Sequence, residues 1–300
     1  MQHTTQRPAQ ASGMLTIGGD LKVYRLGFGS MRLTGKGIWG PPADKQEAIA
    51  VLHRALELGI NLIDTADSYG PEVSESLIAE ALYPYPNDLV IATKGGLLRT
   101  GPNQWPQDGR PQHLREALEG SLRRLRLNTI DIYQFHRPDP KVPLEDSVGE
   151  IAKMKAEGKI RHVGLSNVTI EELKIAQKIV PIVTIQNHYN LAQRQSERMS
   201  VQQSEEMIDL CARQGIGFIP WSPLSLEKFA EPGGTLAQIA QRHGAQPNQI
   251  ALAWLLQRSP AMLPIPGTSS VKHLEENVLG ATIRLSQVEF DAIDRSSHQE

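Results

Sequence analysis

The chain has 300 residues, of which 40% are apolar and 21% charged, with a formal net charge of −2. Such values belong to a soluble globular protein. With no block of like charge, they disfavour nucleic acid and anionic membranes as partners. The single cysteine, Cys211, excludes an internal disulfide and suits a reducing cytoplasm.

Residues 1–13 are polar and lack an apolar h-region. They are expected to be a disordered lead-in and not a secretory signal, ahead of one domain over 14–300. Residues 15–23 pattern as a β-hairpin turning at Gly18-Gly19-Asp20. A first strand near 25–29 precedes a helix over 45–58, where Gly59 is a suitable C′ residue. Strands over 60–64 and 89–93 alternate with helices over 74–82 and 112–125. A strand over 130–135 leads to a helix over 144–157, and a strand over 160–165 to a helix from 170 behind Thr169. Next come a strand over 182–186, a helix over 197–214 and a strand over 216–220. A split helix follows in two pieces, 236–243 and 249–257. The last unit pairs a strand over 262–265 with a helix over 271–279. The longest apolar stretch, 250–256, is too short to span a bilayer.

Eight strand–helix units predict an α/β fold, a (β/α)8 TIM barrel with an N-terminal β-hairpin. The rival is a doubly wound open sheet. It would carry a glycine-rich nucleotide loop after the first strand, but Gly27-Phe28-Gly29 is followed by Ser30-Met31-Arg32, without the third glycine.

Four polar residues stand at the carboxyl ends of consecutive apolar runs. Asp64 closes one run, Tyr69 follows it, Lys94 closes the next, and His136 the one after. Each alone reads as an ordinary rim or core residue. Together, at the strand ends that form a barrel's active face, they read as catalytic. Lys94 and Asp64 would form an ion pair, and the ammonium would lower the Tyr69 pKa by roughly 1–3 units. His136 would orient a substrate oxygen. The set suits protonation of a carbonyl oxygen while another group attacks its carbon. It contains no activated serine, no Cys–His pair and no metal cage.

The segments Asp64-Thr65-Ala66-Asp67-Ser68-Tyr69-Gly70, Lys94 and His136-Arg137-Pro138-Asp139-Pro140 resemble the catalytic motifs of the aldo-keto reductases. Gly164-Leu165-Ser166-Asn167, Gln186, Trp221-Ser222-Pro223-Leu224 and Ile265-Pro266-Gly267-Thr268-Ser269-Ser270 extend the resemblance over 15–294. It implies an NADPH-dependent reductase of aldehydes or ketones, a small-molecule carbonyl substrate, and Tyr69 as proton donor. Lys94 and Asp64 would tune that donor and His136 would orient the substrate. By the same resemblance, Ser166, Asn167 and Gln186 hold the nicotinamide carboxamide, and Trp221 stacks on the ring. Ser222, Pro223, Leu224 and Ser225 pass under the pyrophosphate. Gly267, Thr268, Ser269 and Ser270 receive the adenosine phosphate at a helix N-terminus. Glu276 and Asn277 contact adenine, and Gly29, Ser30, Met31, Asp64 and Ile265 complete the expected cofactor contacts. Read alone, Ser166-Asn167 and 268–270 are ordinary helix caps.

Many members of that family set a Lys and an Arg against the 2′-phosphate. Gly267 and His273 stand at the corresponding positions here, with Ser269, Ser270 and Lys272 beside them. NADPH remains the expected cofactor. Trp39 and Trp105, on long loops over the active face, are candidate substrate contacts. Gly40-Pro41-Pro42, Ala81-Leu82-Tyr83-Pro84-Tyr85 and the 265–270 motif are similar to bacterial reductases that interconvert pyridoxine and pyridoxal. Pyridoxal is thus a candidate substrate beside general aldehydes. Alternatives in other classes are a redox-sensing regulatory or structural barrel that binds NADPH with little turnover, and a metal-dependent hydrolase. The hydrolase would want a His-x-His pair where Gly27-Phe28-Gly29 stands. No protein partner or oligomeric state is indicated.

Overall fold

A computed structural model describes residues 7–225, 231 and 233–296. The chain begins with an antiparallel hairpin, β1 (Met14–Ile17) and β2 (Leu21–Tyr24). Seven parallel strands follow, hydrogen-bonded in chain order. They are β3 (Phe28–Gly29), β4 (Leu62–Asp64), β5 (Val90–Gly95), β6 (Ile130–Phe135), β7 (Ile160–Ser166), β8 (Ile182–His188) and β9 (Gly217–Trp221).

The expected eighth strand, 262–265, is present as a single bridge between Phe218 and Met262. Pro264 and Pro266 have no N–H to give, so a regular ladder cannot form there. Closure rests on three backbone bonds. Phe218 N–H donates to Ala261 at 2.8 Å, Leu263 N–H to Phe218 at 2.8 Å, and Gly27 N–H to Pro264 at 3.0 Å. The sheet is therefore a closed barrel and not an open doubly wound one. Its first strand is shorter than expected, regular only at β3.

The helices coat the outside. They are α1 (Lys45–Glu57), α2 (Val73–Leu82), α3 (Pro111–Leu125), α4 (Leu144–Ala156) and α5 (Ile170–Gln177). After them come α6 (Val201–Gln214), α7 (Thr235–Arg242), α8 (Pro247–Arg258), α9 (Val271–Leu279) and α10 (Gln287–Ser296). Thr169 and Glu172 form a reciprocal cap on α5, satisfying two end donors. A similar cap of Ser200 and Gln203 starts α6 later than the expected 197. Sequence reading missed α10, where Ile293 is the buried anchor. Within the expected lead-in, Pro8–Ser12 is a 3-10 helix with Ala9 and Ser12 buried. Ala9 N–H donates to Leu58 O at 3.1 Å, which ties this segment to the barrel and differs from the expected disorder. Residues 1–6 of that lead-in lie outside the described residues. Among the described residues no helix is long and apolar enough to cross a membrane.

Strand alternation builds the site. Side chains two apart share a face. Leu62, Val90, Ala92 and Ile132 fill the barrel interior, where the hairpin residues Ile17, Leu21 and Val23 plug one end. One step further along the same faces come Asp64, Lys94 and Gln134. Their neighbours Ile63, Ile91 and Tyr133 face the helices. An apolar floor under a polar layer places charge only at the carboxyl end.

Candidate active site

Lys94 is fully buried and Asp64 is 1% exposed. The Lys94 ammonium spends its three donors inside the barrel. It reaches Asp64 Oδ1 at 2.5 Å, Thr65 O at 2.7 Å and the Tyr69 hydroxyl at 3.2 Å. The other carboxylate oxygen of Asp64 accepts from Gln134 Nε2 at 3.0 Å and Gln186 Nε2 at 2.8 Å. Both buried charges are thus hydrogen-bonded, the condition under which such a pair is tolerated. The His136 ring meets the Tyr69 ring edge-on, 5.9 Å between centroids. The structure brings the four residues together at the carboxyl end of the barrel.

The direction of the Tyr69 shift is opposite to expectation. Burial raises its pKa above the ordinary 10.0, and the Lys94 charge offsets this only in part, because Asp64 and Asp67 oppose it. A cation neutralised by a carboxylate 2.5 Å away cannot stabilise a phenolate as a free one would. Tyr69 is therefore a neutral phenol at physiological pH, a proton held and ready to give. Burial, then Lys94 and Arg137, hold His136 well below the ordinary imidazole range. The ring is neutral, with Nδ1 at 3.4 Å from Ser68 Oγ. When Ser68 donates to Nδ1, Nε2–H is the ring's donor.

Asp64, Tyr69 and His136 line a cleft of about 430 Å³, with Lys94 buried behind them. Gly29, Met31, Ser166, Asn167, Gln186, Ile265 and Gly267 line it, as do Trp221, Ser222, Pro223, Leu224 and Ser225. A second hollow, lined by Arg32, Lys36, Gly267, Thr268 and Ser269, adjoins it. A third joins Gly267 and Thr268 to Lys272, His273, Glu276 and Asn277. The three share Gly267 and so adjoin one another. Arg32 lines the first two hollows and was not selected from sequence.

Several expected contacts are engaged differently. Ser30 is buried, and its hydroxyl bonds Asp64 O at 2.9 Å and Ser74 Oγ at 2.7 Å, so its side chain is structural. Asn167, at φ 58°, donates to His136 O at 3.0 Å and accepts Trp221 Nε1–H at 3.1 Å. It fixes the Trp221 indole, whose ring also lies 4.1 Å from that of His188. At the start of α9, Val271 N–H already donates to Glu47 Oε1 at 2.9 Å. A carboxylate thus occupies part of the helix N-terminus expected to take a phosphate. Gly267 has its own reason to lack a side chain. A Cβ there would lie 2.5 Å from Gly29 O, so the basic residue common in the family cannot fit without moving the first strand.

Of the two substrate candidates, Trp105 lines the cleft, 6.3 Å from the Tyr69 ring. Trp39 does not. It is 37% exposed and bridges Gly70, while its neighbour Ile38 faces the cleft. Sequence reading also missed Arg99. Its guanidinium lies 3.7 Å from the Trp105 ring centre and donates to Ile38 O at 2.6 Å and Ser68 O at 2.8 Å. It ties three loops into one wall. Gln134 was missed as well, although it stands two before His136 as the polar residue of an inward face.

Asp67, between the paired residues, carries a buried Oδ1 with no partner. Burial, then Glu75, pushes its pKa up from 3.8 to about 8. Between those values the native state holds a proton that the unfolded chain has lost, so stability falls as pH rises from about 4 to 8. Asp67→Asn should remove that loss. We expect its unfolding free energy to exceed the parent's at pH 8 by about a few kcal/mol, read as a higher melting temperature, with little difference at pH 4. Parallel melting curves at both pH values would remove Asp67 as the cause.

Among the described residues no three His, Cys, Asp or Glu side chains gather as metal ligands. The sequence pattern of the Aldo/keto reductase family matches residues 25–298. The chain is 52% identical to an uncharacterized oxidoreductase of Schizosaccharomyces pombe over 292 residues, covering 97% of this chain and 92% of that one. It is 42% identical to pyridoxine 4-dehydrogenase of Escherichia coli over 296 residues, covering 96% of this chain and all of the relative. An aldo/keto reductase from Klebsiella pneumoniae, solved with NADP and acetate, superposes with a TM-score of 0.78 at 26% identity. That likeness covers 94% of each chain. With the barrel and the Asp64–Lys94–Tyr69 contacts in place, these matches show that the chain belongs to the aldo/keto reductase family of oxidoreductases.

Proposed function

We propose that this protein reduces the carbonyl group of small aldehydes or ketones to alcohols with NADPH. The observation that carries the reading is the neutral Tyr69 hydroxyl, 3.2 Å from a buried ammonium and lining a cleft that adjoins two further hollows at Gly267. Tyr69 gives its proton to the carbonyl oxygen as that oxygen gains charge. The neutral His136 donates a hydrogen bond to the same oxygen, and Lys94 stabilises the phenolate left behind. Trp105, Ile38 and Leu97 keep water from the reacting carbon.

These adjoining hollows fit the cofactor. The Ser166 hydroxyl keeps its proton to donate, and Gln186 keeps its carbonyl oxygen as acceptor, which together match a carboxamide. Arg32 and Lys36 supply positive charge where phosphates would lie. When bound, the dihydronicotinamide supplies the hydride. Pyridoxal is one candidate substrate beside other small aldehydes, supported by 42% identity to the Escherichia coli pyridoxine 4-dehydrogenase over nearly the whole chain. The proposed location is the cytoplasm, on the evidence of a lone, buried thiol. A panel of aldehydes including pyridoxal, followed by NADPH absorbance, tests the activity. No oxidation of NADPH with any member would count against it.

Glu47 sets an expectation for coenzyme choice. Its carboxylate at the α9 N-terminus repels a nearby phosphate. Glu47→Gln should lower the KM for NADPH by about 2–5-fold relative to NADH, from an interaction of about 0.3–1 kcal/mol. Equal changes for both coenzymes would place the 2′-phosphate elsewhere.

A further inference from the structure

Arg137 directly follows His136 and lines two hollows at once. One is the central cleft. The other, of about 660 Å³, lies between the segment after β6 and the segment after β8. Asn167 and Trp221 also line both hollows. A ligand whose carbonyl meets Tyr69 and His136 therefore has a path past Arg137 into the second hollow.

The Arg137 side chain is half-buried, and its Nε is buried without a partner. Among the described residues no carboxylate pairs with it. Other charges around the second hollow are engaged elsewhere or lie on its rim. Glu172 is held by Arg198 and by Thr169 N–H. The Asp139 carboxylate accepts Gly109 N–H at 3.0 Å and Lys141 N–H at 2.9 Å. Glu197 lies on the exposed rim. Burial holds His188 below the ordinary imidazole range, so it brings no positive charge. One guanidinium without a counter-charge is left facing the space where the far end of a substrate would go.

Resting on the reading of the cleft as a carbonyl reductase site, we propose that Arg137 selects carbonyl substrates that carry a negative group. The group is a carboxylate or a phosphate ester, taken up in the second hollow. A guanidinium fork matches both anions, and charge-assisted bonds to it are about twice as strong as neutral ones. Arg137 is a specificity residue in this account, since the proton still comes from Tyr69.

The test is a calorimetric titration of the full chain, with and without NADP+, using 4-carboxybenzaldehyde, 4-formylphenyl phosphate and 4-methylbenzaldehyde. The parent should bind at least one charged aldehyde about 10–100-fold tighter than the neutral one. The two charged arms show which anion is preferred. R137Q should lose most of that preference, and R137K should keep part of it as a point charge without the fork. If R137Q does not fold, R137K carries the comparison. In turnover the change should fall on KM for the charged aldehyde more than on kcat. Equal affinity for charged and neutral aldehydes in the parent, an undiminished preference in R137Q, or no measurable binding of either charged aldehyde overturns the proposal. Because the titration needs no turnover, it decides the role of Arg137 even if no aldehyde oxidises NADPH, a result that would count against the reductase reading alone.

Discussion

Lys94→Met should cut turnover by about 10²–10⁴-fold and cost about 3–5 kcal/mol of stability. Both effects follow from the same three bonds. The ammonium, with no exposed surface, satisfies Asp64 Oδ1, Thr65 O and the Tyr69 hydroxyl. Methionine is about the same length, so little space opens, but Asp64 is left as a buried anion. Gln134 and Gln186 still donate to its other oxygen, and they cannot neutralise it. The phenolate formed after proton transfer loses its stabilising cation at the same time. Denaturant unfolding and steady-state reduction on one preparation read the two effects. A variant as stable as the parent would mean that the pair is solvated.

Tyr69→Phe should leave folding intact and lower turnover by about 10²–10⁴-fold, the usual contribution of a positioned general acid. Among the described residues the hydroxyl bonds only the Lys94 ammonium, which keeps Asp64 and Thr65 as partners when it is gone. Combined with Lys94→Met, the loss should fall far short of the product of the single losses, because both act on one proton transfer. The parent's pH profile carries a second signature. Burial raises Tyr69 above 10.0 and lowers His136 well below 6.5, so neither changes charge near neutrality. Reduction should stay level across neutral pH and fall only on the alkaline side, as the phenol ionises and loses its proton. A decline centred near neutral pH would assign the proton to another group.

The catalytic layer was legible because strand alternation is simple. Once Leu62, Ala92 and Ile132 face inward, Asp64, Lys94 and Gln134 must do so two residues on. Gln134 was passed over because an uncharged amide in an apolar run looks unremarkable, although its position on that face carried the signal. The sign of the Tyr69 shift was not legible. It depends on how closely Asp64 neutralises Lys94 and on how completely both are buried, which spacing along the chain does not encode. Ser30 and Asn167 have the expected residue types in the expected places. Their side chains are nonetheless spent on the Asp64 backbone and on the Trp221 indole. Trp39 misled because a long loop does not announce which of two neighbours turns inward. The last strand was weakened by prolines that the sequence displayed openly. The helix α10, with Ile293 as its buried anchor, offered too faint a periodicity to read.

The most direct test of the account is a single-turnover experiment, with NADPH bound to excess enzyme before pyridoxal or another small aldehyde is mixed in. Cofactor release then cannot mask the chemical step. The account predicts one rapid loss of NADPH absorbance in the parent and a loss slower by about 10²–10⁴-fold in Tyr69→Phe, with equal cofactor binding in both. Tyr69→Phe consuming NADPH at the parent rate, or a parent that consumes none with any aldehyde, would contradict it.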